Sequence, residues 1–240
     1  MRHINEIFPG YRIIQDDEYF KLSQDTVLLS DFARLRRGER GLDLGAGVGC
    51  LAILMLLRGE GEMTALELQA GACAIARENL AMCGLDARGE VLEADFRALP
   101  AEMRQKYDVC ASNPPYFSAA RGGVSPSPTL AAARSESTGG VAEVCAAAGA
   151  ALRGGGRFYV CYRPERLGSL FAALAAAGLT PKRMRAVYPS PERPAILVLL
   201  EAVKHGGEGL QLLPPLLVRD ESGAESAEYQ AIYGGRRYDR

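Results

Sequence analysis

The chain has 240 residues, of which 28 are Lys or Arg and 29 are Asp or Glu, a formal net charge of −1, with 48% hydrophobic and 24% charged side chains. That balance belongs to a folded globular protein and excludes bulk disorder. No uninterrupted apolar run, such as Cys50 to Leu57, exceeds eight residues; a membrane helix needs roughly 20, and the charged N-terminal stretch has no apolar core of a secretory signal.

Ahead of residue 40 the sequence reads as a short hairpin followed by a helix starting near Asp25. Apolar runs and helical patterns then alternate. GLDLG (41–45) predicts a strand, 50–58 a helix stopped by Gly59, MTALEL (63–68) a strand, and 70–83 a helix ending at Gly84. EVLEAD (90–95) and YDVCAS (107–112) are strands, the second running into Asn113-Pro114-Pro115. A helix over 140–152 is stopped by Gly154, Gly155 and Gly156, RFYVCY (157–162) is a strand, and Pro164 opens a helix to Ala177 with Gly178 past its end. Residues 183–187 and 195–202 read as two last strands with no helix between them.

Strands alternating with helices imply parallel βαβ units, and the last two strands an antiparallel pair at one edge. The expected fold is therefore α/β and Rossmann-like: a seven-stranded, mostly parallel sheet with an antiparallel edge pair and helices on both faces. A single domain over 1–240 is expected, with an N-terminal extension (1–39), a core (40–204) and a C-terminal extension (205–240). Ligands of such sheets bind at the carboxyl ends of the strands, where the strand order reverses.

Six cysteines, at 50, 73, 83, 110, 145 and 161, form no C-x-x-C pair, and the two histidines, His3 and His205, lie far apart. No metal site is expected, and the cysteines read as small buried hydrophobes in a reducing cytosol. The near-zero net charge hides an asymmetry: residues 61–150 hold 7 basic and 11 acidic side chains, residues 151–206 hold 9 basic and 3 acidic. A locally basic part is compatible with a nucleic-acid partner and equally with a solvated face.

The first expected strand ends in Asp43-Leu44-Gly45-Ala46-Gly47-Val48-Gly49. Glycines there let the backbone turn tightly and approach a ligand closely. The spacing is G-x-G-x-G, which is neither the dinucleotide fingerprint nor a phosphate-binding P-loop. Glu67 ends the second strand, where an α/β nucleotide site places a carboxylate for the ribose hydroxyls. Asp95 ends the third, placed to accept from the exocyclic amine of an adenine.

The fourth strand ends in Asn113-Pro114-Pro115-Tyr116-Phe117. An exocyclic or amide nitrogen is a poor nucleophile because its lone pair is delocalised. The Asn113 side-chain oxygen and the Pro114 carbonyl can hold its two N–H bonds and localise that lone pair, while Tyr116 offers a face for stacking. With a sulfonium methyl donor no metal is required, and the work is positioning and electrostatics.

With these motifs in order, the chain resembles a class I S-adenosylmethionine-dependent methyltransferase of the amino-methylating type. A dehydrogenase fits less well, having the other glycine spacing and no comparable use for NPPY. Over nearly its full length the chain is similar to the bacterial tRNA1(Val) adenine-N6 methyltransferase family. The similarity lies in KLSQDTVLLSDF (21–32), NPPYF (113–117), ARSE (133–136), YRPERL (162–167), PKRMRAVYP (181–189) and LLEAVKHGGEGLQLLPPLLV (199–218), followed by EYQAIY (228–233). In ARSE, Ser135 stands where the family's pattern has histidine.

The resemblance implies a cytoplasmic enzyme that methylates the adenine beside the anticodon of a tRNA, with no obligate protein partner. It implies that Gln24 and Asp25 close over the methionine end of S-adenosylmethionine, and that Phe117, Arg134, Arg163, Arg166, Lys182 and Arg183 lie on the tRNA side. Lys182, Arg183 and Arg185, clustered after Pro181, are expected to contact phosphates. A protein-glutamine or small-molecule N-methyltransferase remains as an alternative, and a non-catalytic RNA-binding module as a third.

Overall fold

The structure is a computed structural model that describes residues 1–19, 21–114 and 140–234. Strands β1 (Arg2–Phe8) and β2 (Tyr11–Asp16) form the expected hairpin, a two-stranded antiparallel sheet of its own. Helix α1 (Gln24–Phe32) follows, started by Ser23, whose side chain accepts from the Thr26 amide. The order then runs β3 (Arg40–Leu44), α2 (Cys50–Arg58), β4 (Glu62–Glu67), α3 (Ala70–Met82), β5 (Gly89–Glu93) and β6 (Tyr107–Ser112). After the undescribed stretch come α4 (Val141–Ala151), β7 (Leu152–Tyr162), α5 (Leu167–Ala176), β8 (Leu179–Tyr188) and β9 (Leu197–Lys204). Two short strands, β10 (Gln211–Leu212) and β11 (Leu216–Leu217), and helix α6 (Ala227–Tyr233) complete the described chain.

The main sheet has the order β10-β8-β9-β7-β6-β3-β4-β5, with β11 also pairing β8. Strands β3 to β7 pair in parallel, and β9 is antiparallel to both β7 and β8. The seven strands β3 to β9 are those read from the sequence. The antiparallel pair is the expected one, but β9 inserts between β7 and β8, and β8 is extended further by β10 and β11.

Alternate residues of the parallel strands enter two apolar layers. Val109 and Ala111 pack with α1, α2, α3 and the hairpin, whereas Leu42, Leu44 and Cys110 pack with α4 and α5. This double burial is why the strands read as continuous apolar runs. The buried Arg58 guanidinium joins three helices, donating to Ser30 Oγ (3.1 Å), Asp31 (3.2 Å) and the Ile232 carbonyl of α6 (2.7 Å).

Two readings shift. Gly154, Gly155 and Gly156 do not stop a helix, since α4 ends at Ala151 before them. They lie in β7, within a bulge between Leu152, paired with Tyr107, and Arg157, paired with Val109. Gly155 has φ +75, a conformation that disfavours a side chain. Strand β8 is longer than expected because pairing with β9 on one side and the C-terminal strands on the other extends it through charged residues.

Candidate active site

The strand order reverses between β3 and β6, and the Ser112 hydroxyl donates to the Leu44 carbonyl (2.8 Å), tying their carboxyl ends together. The turn after β3 lies over this point. Its Gly45 and Ala46 amides donate to the Leu66 carbonyl at 2.9 and 3.0 Å, and Gly45, Gly47 and Gly49 have φ of +74, +55 and +84. A Cβ added at Gly47 would meet no atom within 4 Å, so its backbone faces open space. One at Gly49 would stand 3.2 Å from Ala76 Cβ, so the third glycine serves the packing of α2 on α3.

Glu67, the last residue of β4, is buried. Its oxygens accept from the amides of Gly47 (2.8 Å) and Gln69 (2.9 Å), and the carboxylate thereby holds the glycine turn. Each carboxylate oxygen has a second lone pair for a ligand hydroxyl. Asp43 lies beneath the turn, 1% exposed, with Oδ2 accepting from the Ala52 amide (3.1 Å). It supplies the helix-start acceptor that Gly49 at the N-cap of α2 lacks. Burial pushes its carboxyl up to about 7, against the Ala52 hydrogen bond and with a contribution from Glu67.

Asp95 sits two residues beyond β5 and caps a short turn at 96–98. It accepts from the Arg97 amide (2.9 Å) and from the guanidinium at 2.7 and 2.9 Å, and this pairing holds its carboxyl below the usual range. Two apolar residues beside these groups went unread in the sequence: Leu68, 47% exposed directly after Glu67, and Phe96, with a ring carbon 3.9 Å from the Cβ position of Gly45. The signal for Leu68 was its place, an apolar residue just past a strand-end carboxylate.

Asn113 follows β6 immediately. Its Nδ2 donates to Thr26 Oγ1 (2.9 Å) and to Ser23 Oγ (3.4 Å), and its Oδ1 accepts from Cys161 Sγ (3.1 Å). Pro114 is buried. Pro115, Tyr116, Phe117, Arg134 and the rest of the ARSE segment lie outside the described residues. At the start of α1, Asp25 pairs with Arg163 (3.5 Å), and Gln24 Nε2 is a buried donor without a hydrogen-bond partner among the described residues.

The basic residues are placed apart. Arg163 also donates to the Ile196 carbonyl (2.8 Å), and Arg166 lies 5.9 Å from the Tyr162 ring centroid. Arg183 pairs with Glu201 (2.7 Å), lies over Phe32 (4.8 Å), and borders a cavity of about 350 Å³ with Arg34, Arg36 and Arg157. Lys182 donates to the carbonyls of Gly207 and Glu208, and Arg185 to Glu228 (2.7 and 2.9 Å) and the Pro214 carbonyl (2.9 Å). Lys182 and Arg185 therefore brace the C-terminal segment against β8. All six cysteines are buried and unpaired with one another; burial pushes the thiols of Cys50 and Cys145 up to about 12. Among the described residues no group of His, Cys, Asp and Glu side chains could hold a metal ion, and no helix is long and apolar enough to cross a membrane.

A sheet of this order with one antiparallel strand, a glycine turn after its first core strand and a carboxylate ending the next is the architecture of class I S-adenosylmethionine-dependent methyltransferases. The chain belongs to the methyltransferase small domain family, whose sequence model matches residues 21–167. It is 33% identical to the tRNA1(Val) (adenine(37)-N6)-methyltransferase of Cronobacter sakazakii over 172 residues, 70% of this chain and 68% of that one. The protein of the same name in Musicola paradisiaca is 31% identical over 228 residues, 94% of this chain and 90% of that one. Among solved structures, a predicted O-methyltransferase from Agrobacterium tumefaciens superposes with a TM-score of 0.73 at 23% identity, covering 90% of this chain and 99% of that one. That last likeness is one of fold.

The chain is an S-adenosylmethionine-dependent methyltransferase. The residues at the strand ends fit the cofactor's chemistry. Glu67 has lone pairs for hydroxyls, Gly47 borders open space and Leu68 offers an apolar surface, while at the start of α1 Gln24 Nε2 is a buried donor without a partner among the described residues.

Proposed function

We propose that this enzyme methylates N6 of an adenine in tRNA, at the position beside the anticodon. The observation that carries the reading is the Asn113 amide, held at the carboxyl end of β6 at the point where the strand order reverses. The names of relatives that cover most of the chain point the same way.

When bound, S-adenosylmethionine supplies an electrophilic methyl group on a sulfonium. Gln24, Asp25, Gly45, Gly47, Glu67 and Asp95 would hold it, with Asp43 fixing the helix beneath. Asp95 would engage the adenine amine by sharing or exchanging its Arg97 partner. Asn113 Oδ1 and the Pro114 carbonyl accept the two N–H bonds of the target amine and concentrate its lone pair for in-line attack. Water takes the surplus proton. Tyr116 supplies the stacking face for a base turned out of a single-stranded loop, where unstacking costs little. Phe117, Arg134, Arg163, Arg166 and Arg183 would face the RNA, in the cytoplasm where tRNA resides.

The test is transfer of a tritiated methyl group to bulk tRNA, bulk protein and DNA, followed by identification of the labelled nucleoside or residue. N6-methyladenosine in the tRNA fraction is expected. Label confined to glutamine in protein would leave the amine-holding geometry standing and move the substrate to a protein.

A further inference from the structure

Both ends of the Asn113 amide are held by this chain, and we infer that Thr26 and Cys161 are positioning residues for methyl transfer that act through Asn113. The inference rests on the reading of Asn113 as acceptor for the target amine. The amide nitrogen, Nδ2, donates to the hydroxyls of Thr26 (2.9 Å) and Ser23 (3.4 Å). These hydroxyls lie 3.2 Å from each other, and Ser23 Oγ also takes the Thr26 amide as the start of α1. The pair is thus fixed by the helix that carries it. On the other side Cys161, buried in β7, brings its sulfur to 3.1 Å from Asn113 Oδ1.

The chemistry of the three partners decides which end of the amide is oxygen. Hydroxyl oxygens are good acceptors for N–H, whereas a thiol is a weak acceptor and can donate to a carbonyl. An amide turned end for end would set its NH2 against sulfur and lose its better acceptors. The observed orientation presents oxygen on the Cys161 side, and a carbonyl oxygen has two lone pairs, so the thiol does not exclude an incoming amine. Helix α1 therefore has a task beyond covering the cofactor: it orients the side chain that receives the nucleophile. The partners lie 87 residues before and 48 residues after Asn113, so only the folded sheet brings them together.

The experiment is a double-mutant cycle in steady-state methyl transfer, using whichever macromolecular pool accepts the label. Thr26→Val keeps the volume and the backbone helix start while removing the hydroxyl. It is expected to lower kcat by roughly tenfold to a hundredfold, the scale of a misplaced reacting group, with KM for S-adenosylmethionine little changed. Thr26→Ser should restore most of the rate. Cys161→Ala should cost severalfold in kcat and Cys161→Ser less. On an Asn113→Ala background, Thr26→Val should cause no further loss, because the group it orients is gone.

Full kcat in Thr26→Val, beside a crippled Asn113→Ala, would overturn the inference and leave the acceptor reading intact. A fully additive loss in the double mutant would also overturn it, since Thr26 would then act by another route. Full activity in Asn113→Ala would remove the acceptor reading itself and the inference with it. Unfolding midpoints accompany each variant; should Thr26→Val fail to fold, Thr26→Ala, Cys161→Ala and their combinations with Asn113→Ala decide the matter in the same way.

Discussion

The carboxyl ends of β3 and β4 and the cations of β8 satisfy their charges by different means. At the first, carboxylates meet backbone amides: Asp43 with Ala52, Glu67 with Gly47 and Gln69. At the second, cations meet carboxylates and carbonyls from distant segments: Arg183 with Glu201, Arg185 with Glu228 and Pro214, Lys182 with Gly207 and Glu208. A carboxylate at a strand end next to a glycine turn has few geometries open to it. A long cation on a strand flanked by such segments can reach many partners, so its density in the sequence says little about what it touches.

The contrast makes pH the probe of the first region and salt the probe of the second. The largest effect expected is on stability. The Asp43 carboxyl titrates near 3.8 when exposed and about 7 in the fold, so the folded state favours its neutral form. Its contribution is complete below pH 4, is lost as pH rises from about 4 to about 7, and is flat above; the difference is on the order of 4 kcal/mol. Asp43→Asn keeps an acceptor for Ala52 and should flatten that slope in denaturant unfolding measured across the window. An unchanged slope would place the titration elsewhere.

Next in size is Asn113→Ala. Losing one of two acceptors at the point of attack should lower kcat by roughly 10², about 3 kcal/mol in a preorganised site. Calorimetry should find cofactor binding largely retained. Glu67→Ala should weaken S-adenosylmethionine binding by about 1–3 kcal/mol, through lost hydroxyl acceptors and a loosened Gly47 turn; unaltered affinity by calorimetry would remove Glu67 from the cofactor site.

The smallest effect is at β8. Glu228 is 40% exposed, so Arg185→Ala should cost only about 0.5–1 kcal/mol of stability after allowance for solvent screening. If Arg185 is a brace, the salt dependence of the proposed tRNA binding stays at the wild-type slope on Arg185→Ala. A shallower slope in a filter-binding series would return Arg185 to the RNA side and blur the contrast between the two regions.

In the candidate cofactor site, the placement of the glycine turn and of Glu67 and Asn113 was legible because its demands are local. A glycine turn, a carboxylate at the end of the next strand, and Asn-Pro at the end of the fourth are each set by a few neighbouring residues. The apolar runs that become β3 to β7 were equally plain, since burial on both faces leaves no alternation to misread. The glycines at 154–156 misled because a break looks the same whether it ends a helix or opens a bulge in a strand. Residues 205–234 carried too little periodicity to reveal strands that exist only by pairing with β8.

The sequence by itself determined the class of fold, the order of the strands along the chain and the identity of the residues at their carboxyl ends. Propensity, apolar periodicity and turn chemistry act over a few residues and survive in one dimension. Only the tertiary structure decided that β9 enters between β7 and β8, that Lys182 and Arg185 turn to the C-terminal segment, and that Thr26 and Cys161 meet at Asn113. Those contacts join residues tens of positions apart, and a hydroxyl, thiol or guanidinium carries no local mark of its partner. Packing brings the two together, and for the buried Thr26 and Cys161 the cost of leaving a buried polar group unpaired then holds them there.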